Sequence, residues 1–253
     1  MDNNFKPASE NKTEIGESKF VYKPSETKRK ALMSPQKFRI LAVLFNGFLA
    51  GIMFSLGAVA YLKVNNKYLG SALFTIGLLI ILIYGFGFYT SKIGYCLTQK
   101  KTQNIMLFPL WVGNVLGAVF IGLISFLTRD DFASTIYHRA NEISGLKLSD
   151  SSGGILIMSI IGGLLMFVVT DNYQNAKTAA QKYIILFVSV MVMVLCDFEH
   201  FVSSTFYFVA AGAVTFKAVW YLLIMTVGNS LGALIIPCGH NLIKLIQQKT
   251  TKK

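Results

Sequence analysis

Charge is scarce in this sequence. Charged residues make up 14% of the 253, against about 25% in soluble globular proteins. Acidic residues are the scarcer sign, 12 against 24 Lys and Arg. With a mean hydropathy of +0.54, this excludes an ordinary soluble domain and predicts an integral membrane protein. A basic patch interleaved with aromatics is also missing. The Lys and Arg residues lie at the ends of apolar segments, where membrane proteins place their anchors, so no nucleic-acid partner is expected despite a net charge of +12. Cysteine is limited to Cys96, Cys196 and Cys238. None makes a CxxC or Cys/His spacing, and all three are expected to be small buried hydrophobes. Histidine is limited to His138, His200 and His240, which are too far apart in sequence to suggest a metal-ligand cluster. No metal, no cofactor and no enzymatic activity are expected. The last apolar segment has no lysine before Lys244, which argues against a retinal protein. The start of the chain is polar and Lys-rich, with no apolar core of the kind a signal peptide needs.

What is present is apolar sequence in six segments, at about 39–62, 69–97, 104–128, 153–171, 182–211 and 218–242. A hydrocarbon core of roughly 30 Å takes about 20 helical residues. Most of the segments reach that length, and 153–171 lies at the short end. The second and fifth are too long and are interrupted, the second by Gly85-Phe86-Gly87-Phe88-Tyr89-Thr90-Ser91 and the fifth by Asp197-Phe198-Glu199-His200. Interrupted helices are tolerated at membrane depth only where the freed backbone is buried or lines a cavity.

The expected fold is an all-α membrane protein of six transmembrane helices. Its parts are a polar N-terminal segment (1–38), a first three-helix repeat (39–128), an external loop (129–152), a second three-helix repeat (153–242) and a basic tail (243–253). Seventeen Lys and Arg fall on the side of both termini and six on the other, with Lys92 inside segment two. The excess predicts that both termini are cytoplasmic.

The chain also repeats. Val112-Gly113-Asn114-Val115-Leu116-Gly117-Ala118 matches Val227-Gly228-Asn229-Ser230-Leu231-Gly232-Ala233 at six of seven positions, at an offset of 115. The same offset places Thr90 opposite Thr205. Three spans per half force the halves into opposite orientations, giving an inverted repeat with its site where the broken helices meet. The paired glycines let backbones approach closely. Asn114 and Asn229 are expected to hydrogen-bond a neighbouring helix or a broken segment.

Asp197, Glu199 and His200 lie within four positions in the middle of the fifth segment. A charge at the bilayer centre costs about 2.5–3.5 kcal/mol on insertion scales, so such residues usually face a pathway. Glu199 is expected to orient the broken backbone or the next helix. Asp197 could hold a local cation or act on His200.

With Phe198-Glu199-His200, the break ending Phe88-Tyr89-Thr90-Ser91, the two Gly-Asn-x-x-Gly motifs and Phe74-Thr75-Ile76-Gly77-Leu78, the sequence resembles the formate/nitrite transporter family over about residues 39–242. The resemblance implies an aquaporin-like protomer in a homopentamer, set in the lipid of the inner membrane. It implies passage of small monovalent anions: formate, nitrite or hydrosulfide. It makes His200 the central pore histidine and Thr90 its partner. Phe74, Leu78 and Phe88 would narrow the pore, with Met193 where a Phe is usual, and Lys147 would draw anions to the outer mouth.

The chain departs from the family pattern at Asp197, where Gly is usual. It departs again at Ser203-Ser204-Thr205, in place of Ala-Asn-Met, and at Gly163, in place of Asn. These changes leave substrate and transport mode open. An acid entering an apolar slit avoids the cost of desolvation by crossing neutral. His200 could carry the proton or donate a hydrogen bond while neutral. A cation or proton channel, favoured by Asp197 and Glu199, is the rival reading.

Overall fold

The computed structural model describes residues 34–251. The elements are α1 (Pro35–Lys63), α2 (Lys67–Tyr84), α3 (Tyr89–Ile93), α4 (Lys101–Ile105), α5 (Leu107–Ile124), α6 (Asp130–Ser149), α7 (Ser152–Asn175), α8 (Ala179–Leu195), α9 (Phe201–Ala210) and α10 (Phe216–Thr251). No strand occurs among the described residues. Caps set several starts: Asn66 accepts from the N–H of Tyr68 and Leu69 ahead of α2, Ser151 from Gly154 ahead of α7, and Thr178 from Gln181 ahead of α8. Each satisfies amide groups that a helix start leaves unpaired. By length and composition, five stretches are long and apolar enough to cross a membrane, within α1, α2, α4–α5, α7 and α10, and α8 and α9 are shorter apolar helices. Along α10, Trp220, Leu223, Val227, Leu231 and Ile235 are exposed at helical spacing. A soluble protein would not leave such a face in water; in lipid it is the ordinary exterior.

Within the second and fifth apolar segments the chain leaves helix, at Gly85–Phe88 between α2 and α3 and at Cys196–His200 between α8 and α9. The two exits are built alike. Gly85 has φ 68° and Asp197 φ 54°. Phe86 N–H reaches back to Ile81 O at 2.9 Å, and Phe198 N–H to Met193 O at 3.0 Å. This is the left-handed closure common at helix C-termini. Tyr89 N–H then donates to Asn114 Oδ1, and Phe201 N–H to Asn229 Oδ1. The offset is 112 at the breaks and 115 at the asparagines, because the second half spends 28 residues between these partners where the first spends 25. Thr90 therefore corresponds to Val202, not Thr205, and His200 corresponds to Phe88.

The third helix of each half lies against the first: α5 on α1 and α10 on α7. Glycine permits this contact. A Cβ on Gly113 or Gly117 would run into the carbonyl oxygens of Leu44 and Phe48, and one on Gly232 into that of Ile160. At Gly163 a side chain would strike the backbone of Asn229, so the asparagine usual in the resembled family has no room here.

Several expectations need correction. Residues 129–152, taken as a loop, are mostly α6. Its polarity hid a stripe of buried Ile136, Ala140 and Ser144, spaced four apart on one helix face, which packs on α9 and α1. The tail at 243–253 continues α10 through Thr251, and 153–171 is the middle of a 24-residue helix. The cysteines are not buried: Cys96 is half-buried, and Cys196 and Cys238 are exposed. An apolar exterior accepts a thiol as readily as the interior does. The expected N-terminal segment, 1–38, lies almost wholly outside the described residues.

Candidate functional site

The two breaks bring Phe88 and His200 face to face, with ring centroids 5.3 Å apart and planes 12° from parallel. Both backbones are extended at this point, each residue standing just ahead of the helix that follows. Phe54, from α1, closes the group. Its ring lies 4.9 Å from Phe88, 5.0 Å from His200 and 5.1 Å from Phe74. Phe201 adds a fourth wall at 5.2 Å from His200. Phe54, Leu78 and His200 have no exposed surface, and Phe74 and Phe88 only 1%. The centre of the protein is thus a dry aromatic plug.

One polar pair sits inside it. Thr90 Oγ1 is 2.8 Å from His200 Nε2. The other ring nitrogen, Nδ1, faces the Val202 N–H at 3.4 Å, where His200 caps α9. An amide N–H can only donate, so Nδ1 is the acceptor and the neutral ring keeps its proton on Nε2. Nε2–H then donates to Thr90 Oγ1. The Thr90 hydroxyl proton is left for another acceptor.

Glu199 points away from this pair. Its Oε2 receives Lys147 Nζ at 2.6 Å and Ser204 Oγ at 3.0 Å. The side chains of Lys147 and Glu199 are 10% and 6% exposed. Lys147, carried in by α6, is therefore not a bare cation at a mouth, because a buried carboxylate balances it. The Glu199 carbonyl accepts from Asn229 Nδ2, which also donates to Ser159 O. Asn114 repeats this on the other break, donating to Gly47 O and Gly87 O.

Two openings flank the plug. On the α6 side is a slot of about 30 Å³ lined by Phe74, Met193, Lys147, Asp197, Ser203 and Tyr207, among others. On the opposite break lies a cavity of about 450 Å³, whose lining includes Arg39, Asn46, Gly85, Gly87, Lys92 and Leu110. The structure thus brings together His200, Thr90, Phe88 and Phe74, places Met193 and Asp197 at the slot, and makes Asn114 and Asn229 the latches of the breaks. The roles of Phe54, Phe201 and Ser204 are not signalled by the sequence. Phe54 gave no signal, since α1 also carries Phe45 and Phe48 at similar spacing and nothing local singles out the buried one.

Known proteins agree with this architecture. The family model for formate/nitrite transporters matches residues 25–242. A Bacillus subtilis (strain 168) protein described as the uncharacterized transporter YrhG is 24% identical over 210 residues, covering 75% of this chain and 79% of that one. Among solved structures, a pentameric formate channel with formate bound superposes with a TM-score of 0.71 at 20% identity, covering 83% of this chain and 99% of that one. A channel of the same family gives 0.67 at 18% identity, covering 79% and 89%. The solved structures establish the fold, and the match over residues 25–242 places this integral membrane chain in the formate/nitrite transporter family, whose members are transporters and channels and not enzymes.

Proposed function

We propose that the protein passes small monovalent anions of weak acids, with formate, nitrite and hydrosulfide as the candidate substrates. The observation that carries this reading is the single polar pair, Thr90 and His200, held inside an otherwise apolar plug between two polar openings. A bare anion entering the plug would lose hydration that one hydrogen bond does not replace. A weak acid crosses more easily when neutral, because desolvation favours its protonated form. The Thr90 hydroxyl proton, left over because Thr90 Oγ1 accepts from His200 Nε2–H, offers the donor that an acid oxygen needs, and the proton travels with the acid.

The protomer is proposed to cross the inner membrane six times, with α8 and α9 as the fifth crossing and both termini cytoplasmic. It is proposed to assemble as a homopentamer, a reading supported by the pentameric neighbour. Purified protein in liposomes should take up labelled formate, nitrite or hydrosulfide above protein-free controls, and should show five protomer masses in native mass spectrometry. A reversal potential that follows the cation gradient instead would decide for the rival cation channel, for which Asp197 at the slot speaks.

Phe74 sets the width of the plug on the α6 side. It is fully packed against Phe54 and lines the slot. Phe74→Ala should admit larger monovalent anions such as lactate and raise the rate of formate by several-fold. Size selectivity and rate both equal to wild type would show that the ring serves helix packing alone. In a soluble core the same truncation costs about 3–5 kcal/mol, so the melting temperature should be recorded beside the flux.

A further inference from the structure

Asp197 is the only non-glycine residue with positive φ among those described. Its counterpart in the first half is Gly85, which reaches the same backbone conformation without the Cβ clash that an L-residue meets there. The second break would close equally well on glycine. A strained residue that persists where glycine would do points to a role outside the fold. The Asp197 side chain is exposed and lines the slot beside Phe74, Met193 and Lys147. Lys147 does not offset it, because the ammonium is bound to Glu199 at 2.6 Å. Of the two charged side chains that line the slot, Lys147 is paired with Glu199, which does not line it, and Asp197 makes no ion pair among the described residues. A neighbouring hollow holds Lys67, Arg139 and Glu142, but Tyr61 and Ile143 line both spaces and stand between them. Arg139 there donates to the carbonyls of Leu62 and Val64, which hold the guanidinium in that hollow without removing its charge. In the lining of the slot itself, the charge left without an ion-pair partner among the described residues is the Asp197 carboxylate.

We propose that Asp197 is a specificity-determining residue that keeps bare anions out of the α6-side mouth, so that weak acids enter there in neutral, protonated form. This rests on the anion reading above. A carboxylate lining a slot of about 30 Å³, room for about one or two waters, lies within a few ångströms of any entering ion. At that range like charges repel strongly even when partly screened. A neutral acid meets no such barrier and can donate its own proton to the carboxylate. The opposite cavity is lined by Arg39 and Lys92 and by no acid among the described residues, so the exclusion is assigned to the α6-side mouth.

The test compares two readouts on the same reconstituted protein at one fixed pH: uptake of labelled formate, and the electrical current that formate carries. Wild type should show uptake with little current. Asp197→Asn and Asp197→Gly should raise the current about tenfold, the size expected from removing one nearby charge, while Asp197→Glu keeps it low. Asn and Gly both tolerate this φ better than most residues, so melting at or near the wild-type temperature would exclude misfolding as the cause. Equal formate currents in wild type, Asp197→Asn and Asp197→Gly would overturn the inference. Absence of labelled uptake in wild type, or a current carried by the cation, would instead overturn the proposed function.

Discussion

His200→Phe should lower formate flux by about 10- to 100-fold while the assembly stays folded. The ring it replaces is walled by Phe54, Phe88 and Phe201, so another aromatic ring fills the same space. What disappears is chemistry: the Nε2 partner of Thr90 and the Nδ1 cap on Val202 N–H. A hydrogen bond missing from a buried site costs about 1–3 kcal/mol, and each 1.36 kcal/mol is tenfold in rate. Thr90→Val removes the same bond from the other side and should weaken the same step, with a smaller effect because the imidazole remains. The measurement is flux of formate, nitrite and hydrosulfide into liposomes between about pH 5 and 8, where histidine ordinarily titrates. An unchanged rate and pH profile in His200→Phe would make the ring a packing element and leave the pathway to be found elsewhere.

Much of this centre could be read from the sequence, because the bilayer makes polar residues conspicuous. His200 and Glu199 stand out in an apolar run, and Asn114 and Asn229 stand in matching heptapeptides. The breaks were visible as segments too long for one crossing. The missing parts share a cause. Phe54, α6 and the Lys147–Glu199 pair depend on contacts between distant elements. Lys147 and Glu199 are 52 residues apart, and α6 looks like a loop because only a narrow stripe of it is buried. The best-matched stretch of the repeat, the paired heptapeptides, has an offset of 115. The hydrogen bonds of the breaks, where only Phe86/Phe198 and Ser91/Ser203 are identical over residues 85–91 and 197–203, show 112 instead. Asp197 was recognised as a departure from the family, but the strain it bears is a backbone fact that no residue pattern displays.

The largest loss of stability should come from Asn229→Ala. The amide of Asn229 holds the second break from both sides, accepting from Phe201 N–H at 3.1 Å and donating to the carbonyls of Glu199 at 2.9 Å and Ser159 at 2.8 Å. Ser159 lies within α7, so its carbonyl keeps a helical partner when the amide is removed. Glu199 O lies in the non-helical break, and Phe201 N–H is one of the unpaired amides at the start of α9. Both would be left buried without a partner. At about 1–3 kcal/mol for each group, the substitution should cost about 2–6 kcal/mol and loosen the loop that carries His200. Asn229→Asp should do no better. It keeps an acceptor for Phe201 N–H but turns a second carboxylate oxygen toward the two carbonyls that the amide NH₂ had served. Asn114→Ala tests the same device in the first half, where Tyr89 N–H and Gly87 O would lose their partner. Thermal unfolding of the purified assembly in detergent reads the effect directly. Melting within about a degree of wild type for both alanine variants would mean that the breaks are held by helix packing, and that the asparagines, though repeated, do not latch them.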